Sequence, residues 1–262
     1  MIKRLLIMLA ALSPILLPAL DSGVVKFNSH TGYVYIPENF NSAGASLLLF
    51  FHGRGGTPGG SGGIDTPEFA VFRQYCDKNN IVVAVPGCGA DSWGSDNAML
   101  IAERMVEYLG RTLKMNVKKY FVMGGSMGGG AALIYSARHP GEVLAVCDLF
   151  GVTDLLEMLK DHPKYQASML KAYKVTADAD AELYKKHSAI NYAEQLKNIP
   201  LLILHGDRDS TVKLQYSYNM IEALKKAGGS RYKLIVVPGK GHNNNIVVGY
   251  EKNIFDFFLA NK

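Results

Sequence analysis

The chain has 262 residues, 48% of them apolar and 19% charged, with a formal net charge of +5. These proportions, with no internal repeat or low-complexity tract, exclude a repeat array and suit one globular α/β domain with a substantial core. The positive excess is mild and its pairs, such as Lys118-Lys119 and Lys225-Lys226, are scattered, which excludes a nucleic-acid surface.

Lys3 and Arg4 precede an apolar run from Leu5 to Leu20 broken by Ser13, Pro14 and Pro18. Residues 1–20 read as a secretory signal peptide, and residues 21–262 as the domain. The run is shorter than the about 20 residues a membrane span needs, so an uncleaved anchor is the lesser alternative. Export to the periplasm or medium follows, with no stable membrane partner. Cys76, Cys88 and Cys147 cannot all pair; either Cys76 bridges Cys88 or all three are buried thiols. No grouped His/Cys spacing implies a metal, and no cofactor is called for.

Val24–Phe27 and Tyr33–Ile36 predict two short antiparallel strands joined near Ser29 to Gly32. Ser46–Phe51 is a continuous apolar run, the pattern of a parallel strand covered on both faces. Helix Pro67–Lys78, strand Ile81–Val85, helix Asn97–Leu113, strand Lys119–Met123, helix Met127–Arg138 and strand Val143–Leu149 follow. After them come strand Leu201–His205, helix Val212–Ala227, strand Lys233–Val237 and a helix near Val248–Leu259. This alternation predicts an α/β fold with a mostly parallel, doubly wound sheet and antiparallel N-terminal strands. Between Phe150 and Pro200 it lapses, with helical patterns at Asp154–Lys160 and Ala181–Lys186. That stretch is a small helical insertion or lid, or else a packing excursion.

Gly124-Gly125-Ser126-Met127-Gly128 joins a strand to a helix in a G-x-S-x-G turn, which projects its serine from the sheet edge. A serine hydroxyl needs a base, and the base an orienting acid. Asp207 and Asp209 follow the strand ending at His205, and His242 follows the last strand, in the order serine, acid, histidine. The Phe51-His52-Gly53-Arg54-Gly55-Gly56 loop and Met127 offer backbone N–H groups for a developing oxyanion.

From about Val24 onward the chain resembles an α/β-hydrolase. The stretch Asn198-Ile199-Pro200 through His205-Gly206-Asp207-Arg208-Asp209-Ser210-Thr211-Val212 is similar to the prolyl-oligopeptidase-like and esterase branches, the latter including feruloyl and acetyl esterases. The resemblance implies Ser126, Asp209 and His242 as the catalytic residues. Asp207 is then a turn residue and His205 a packing or turn-bonding one. It also implies Met127 and Arg54 as oxyanion donors, with Gly55 second to Arg54 and His52 structural. Gly55 and Trp93 are candidate substrate contacts; Trp93 is equally suited to packing at the core or rim. His30, His139, His162 and His187 fall outside the active-site loops.

The implied activity is hydrolysis of a carboxylic ester through an acyl-enzyme, with a small-molecule or polysaccharide-linked acetyl or feruloyl ester as substrate. A small serine peptidase or aminopeptidase is the alternative, followed by an acyltransferase. A non-catalytic binding protein is the reading from another class.

Overall fold

The computed structural model describes residues 20–60, 63–176 and 180–262, so the leader expected over residues 1–20 lies, but for Leu20, outside the described residues. Eight strands form one sheet: β1 (Gly23–Phe27), β2 (His30–Tyr35), β3 (Ser46–Phe51), β4 (Ile81–Pro86), β5 (Tyr120–Gly125), β6 (Val143–Leu149), β7 (Leu201–Gly206) and β8 (Tyr232–Val237). Their order is β1-β2-β4-β3-β5-β6-β7-β8, antiparallel across β1, β2 and β4 and parallel from β4 onward. The chain thus has the α/β-hydrolase fold, with antiparallel strands at its N-terminal edge.

The period of two along β3 explains why an unbroken apolar run belongs here. Leu47, Leu49 and Phe51 enter one core, with α2 (Asp96–Thr112), α3 (Met127–Arg138) and α8 (Gln215–Lys226) packed over it. Leu48 and Phe50 enter the other, covered by α1 (Ala70–Asn79) and α9 (Glu251–Leu259). Between β6 and β7 the chain forms α4 (Leu155–Asp161), α5 (Gln166–Tyr173), α6 (Ala181–Lys186) and α7 (Ala193–Leu196). Leu155, Met158, Met169 and Tyr184 from this segment pack with Trp93, Met127, Val212 and Tyr216 into a third cluster. Among the described residues no helix is long and apolar enough to cross a membrane.

Several boundaries differ from expectation for local reasons. The β1–β2 turn is only Asn28-Ser29, because Asn28 takes φ 50 and Gly32 pairs with Val25 inside the ladder. The helix expected from Val212 starts at Gln215, after a side-chain turn in which the Asp209 carboxylate accepts from the Thr211 and Val212 N–H groups. The last helix starts at Glu251, beyond a short 3-10 turn at Asn244–Val247 and Gly249 at φ 85. Cys76, Cys88 and Cys147 are free thiols, so the Cys76–Cys88 bridge does not form. Burial pushes the Cys88 thiol up to about 12, which leaves it protonated and unreactive at neutral pH.

Candidate active site

Ser126 stands between the end of β5 and the start of α3 with φ 56 and ψ −122, a conformation costly for a non-glycine residue. The surrounding backbone fixes it there. Ser126 N–H donates to the Leu149 carbonyl at 2.9 Å, and the Val152 N–H donates to the Ser126 carbonyl at 3.0 Å. A methyl group on Gly124 would overlap the Gly128 carbonyl, and one on Gly128 would overlap the Phe51 carbonyl. The turn can therefore close only without side chains at those two positions. From Tyr120 to Ala137, Ser126 alone is not buried.

His242 reaches Ser126 from the loop after β8. Its Nδ1 lies 2.7 Å from Asp209 Oδ2 and its Nε2 lies 2.8 Å from Ser126 Oγ. A carboxylate only accepts, so Nδ1 carries the proton and Nε2 is free to accept from the serine hydroxyl. Phe150 packs edge-on against the His242 ring at 4.8 Å between centroids. The other oxygen of Asp209 accepts from the Thr211 and Val212 N–H groups at 2.9 Å each. Burial pushes the Asp209 carboxyl up, but the imidazoles of His205 and His242 and the Val212 N–H outweigh it and hold the group well below the usual carboxylate range.

The alternatives occupy different places. Asp207 accepts from the Gly239 N–H at 2.6 Å and so ties two turns together. His205 is fully buried, with Nδ1 2.7 Å from Ser217 Oγ and Nε2 2.8 Å from the Val212 carbonyl. Its Nε2 also lies 3.6 Å from Asp209 Oδ2, so Asp209 is flanked by an imidazole on each side. His162 and His187 bond to the Thr211 and Gly94 carbonyls. His139 contacts Glu103, and His30 lies 3.1 Å from Arg104. His52 is buried and bonds the Gly53 carbonyl at 2.8 Å, and burial pulls its pKa down.

Two recesses open beside Ser126. The larger, about 460 Å³, is lined by Arg54, Glu68, Trp93, Tyr165, His242 and Asn244, among others. The smaller, about 150 Å³, runs between Gly53–Gly56, Gly125, Phe150 and Asn244. Arg54 and Gly55 both line the smaller recess, but their amides are used differently. Gly55 N–H donates to the Ala90 carbonyl at 2.7 Å, whereas Arg54 N–H donates to no acceptor among the described residues. Met127, at the first position of α3, has an N–H with no intrahelical acceptor. Trp93 is only 3% exposed, donates from Nε1 to Ser168 Oγ, and presents little surface to the cavity. Met158 and Tyr165 bring the segment between β6 and β7 to the cavity wall. Among the described residues no three His, Cys, Asp or Glu side chains gather in a way that could hold a metal ion.

Sequence reasoning passed over Phe150, Glu68 and Asp148. Asp148 is fully buried near the end of β6, and neither of its oxygens has a hydrogen-bond partner among the described residues. Its one visible signal is an acid inside the apolar run Val143–Leu149.

The prolyl oligopeptidase family model matches residues 102–261. A probable dipeptidyl-aminopeptidase B of Botryotinia fuckeliana is 26% identical over 223 residues, which are 79% of this chain and 23% of that protein. The chain matches less than half the length of the curated relatives it resembles. An S-formylglutathione hydrolase structure from Agrobacterium tumefaciens aligns with a TM-score of 0.73 at 13% identity, covering 91% of this chain and 99% of its own. The truncated form of a carbohydrate esterase from gut microbiota aligns with a TM-score of 0.66 at 19% identity, covering 87% and 90%.

Proposed function

This chain belongs to the prolyl oligopeptidase family of serine hydrolases, and we propose that within it the protein hydrolyses carboxylic esters with Ser126 as nucleophile, His242 as base and Asp209 as orienting acid. The observation that carries the proposal is the continuous hydrogen-bonded line from Asp209 through His242 to a serine that opens on two recesses.

In this reading Ser126 Oγ attacks the acyl carbon and its proton passes to His242 Nε2. The carbonyl oxygen becomes an oxyanion held by the Met127 and Arg54 N–H groups. Collapse breaks the bond to the alcohol, which leaves with the proton from His242. Water, deprotonated by His242, then attacks the acyl-enzyme, and the same proton returns to Ser126 as the acid departs.

The smaller recess suits a short acyl group such as acetyl, and the larger suits a bulkier alcohol, for which Tyr165, Asn244 and Glu68 provide an aromatic face and polar atoms. A feruloyl group would need the larger recess. With the leader taken as an export signal, an acyl ester on an extracellular polysaccharide is the favoured substrate, and the segment between β6 and β7 acts as its lid. The likeness to the dipeptidyl-aminopeptidase supports a second reading, cleavage of aminoacyl amides.

A fluorophosphonate probe tests the nucleophile: wild type is labelled and Ser126→Ala is not. Equal labelling of the two would remove Ser126 from the mechanism. Turnover of p-nitrophenyl acetate and ferulate beside aminoacyl-p-nitroanilides, followed by release of acid from an acylated glycan, separates the two readings. Faster turnover of the anilides would favour the peptidase.

A further inference from the structure

We propose that Asp91 and Tyr165 are positioning residues that act through the Arg54 side chain to aim the Arg54 N–H at the reacting carbonyl oxygen; this rests on the serine-hydrolase reading above. Arg54 is followed by a stretch rich in glycine, from Gly55 to Gly63. Gly53, Gly55 and Gly56 leave the backbone on both sides of Arg54 with wide intrinsic freedom, so the local sequence alone does not fix the direction of its N–H.

The Gly56 N–H donates to the Gly53 carbonyl at 3.1 Å across Arg54, and three further contacts add to that restraint. The Gly55 N–H is bound by the Ala90 carbonyl at 2.7 Å. Arg54 Nε lies 2.7 Å from Asp91 Oδ1, which is on the same loop as Ala90, residues 87–95. The contact is ionic and not an aligned hydrogen bond, since that oxygen has no donor in good geometry. The Arg54 guanidinium also lies 5.0 Å over the Tyr165 ring, which comes from the segment between β6 and β7.

Tyr165 is itself held. Its ring packs against Trp93 at 5.5 Å, Trp93 Nε1 donates to Ser168, and the Tyr173 hydroxyl donates to the Trp93 carbonyl. One side chain thus joins the glycine-rich loop to two other parts of the chain.

The magnitudes decide what this arrangement is for. The Arg54–Asp91 pair is 43% and 35% exposed, and ion pairs open to solvent add little to stability. A displacement of about 1 Å at a catalytic group, in contrast, costs on the order of 100-fold in rate. Removing the pair should therefore spare the fold and impair the chemical step.

Asp91→Asn should lower kcat by roughly 10- to 100-fold with KM within about twofold. Affinity for a trifluoromethyl ketone that forms a tetrahedral adduct should fall by the same factor, and the thermal midpoint should stay within about 2 °C. Arg54→Met should match it, the double variant should fall no further than either single one, and Asp91→Glu should recover part of the rate. Tyr165→Leu should lose less. An Asp91→Asn kcat within twofold of wild type, or a raised KM with kcat unchanged, would overturn the inference. Absence of fluorophosphonate labelling in the wild type would sink the serine-hydrolase reading beneath it, whereas normal labelling with an unaffected Asp91→Asn would sink the positioning role alone.

Discussion

Two carboxyl groups lie buried at the ends of neighbouring strands, and the protein treats their protons in opposite ways. Asp148, near the end of β6, is wedged so tightly that a methyl group on Gly129 or Gly151 would overlap its Oδ1. Burial pushes it up to about 7, against the weaker pull of His205 and of the nearby Gly151 N–H, which makes no aligned hydrogen bond to it. Asp209, in the loop after β7, has a side chain just as inaccessible, yet it is held well below the usual carboxylate range. The difference is in the partners. Two N–H groups and two imidazoles surround Asp209, whereas Asp148 faces the glycines of α3 and the β6 loop. Burial sets the penalty for charge, and hydrogen-bond donors decide whether it is overcome.

The sharpest break between the two acids should appear in catalysis. Asp209→Asn should lower kcat by about 10⁴-fold, because an amide no longer selects the His242 tautomer that accepts from Ser126. Asp148→Asn should stay within about threefold in the same ester assay. Similar losses in both would abolish the functional distinction, and a larger loss in Asp207→Asn would move the orienting acid to Asp207.

Stability against pH should separate them next, with opposite signs. Well below about pH 4 both the folded and unfolded chains keep Asp148 protonated, so it costs nothing there. As pH rises toward 7 the unfolded chain releases this proton while the native state retains it. Stability then falls by up to about 4 kcal/mol and levels off above the native pKa. Asp209 behaves in reverse: its contribution is present above about pH 4 and is lost as pH falls toward its depressed native value. Urea unfolding at pH 5 and pH 8 should show Asp148→Asn gaining on wild type at the higher pH. A constant offset between the two proteins would show that Asp148 does not titrate in this window.

The smallest effect concerns His205, which lies beside Asp209 and whose charge also bears on Asp148. Ser217→Ala removes the hydroxyl 2.7 Å from its Nδ1 and should cost about 1 kcal/mol in urea unfolding. Its effect on kcat should be no more than a few-fold. No change in stability would mean that another group satisfies Nδ1.

The same contrast explains what could be read from sequence. The sheet was legible because β3, β4 and β7 are apolar runs with turn residues at their ends. The positions of Ser126, Asp209 and His242 were legible because each follows a strand, and parallel strands deliver their C-terminal ends to one edge. Asp148 was not, since an isolated acid in a strand leaves no spacing to interpret. Nor could spacing separate the amides of Arg54 and Gly55. That choice depends on the Ala90 carbonyl, which belongs to a distant loop. The start of α8 was misplaced because the turn that the Asp209 carboxylate makes with the Thr211 and Val212 amides leaves no mark on the apolar pattern.

Trp93 is the chain's single tryptophan, and it is enclosed by Tyr165, Ser168 and Tyr173 of the segment that walls the larger recess. Indole emission from the unlabelled protein therefore comes from this one location, with no background from elsewhere in the chain. The molecule carries its own optical probe of that wall, and stopped-flow fluorescence can test whether its surroundings change within a turnover while absorbance follows the release of product.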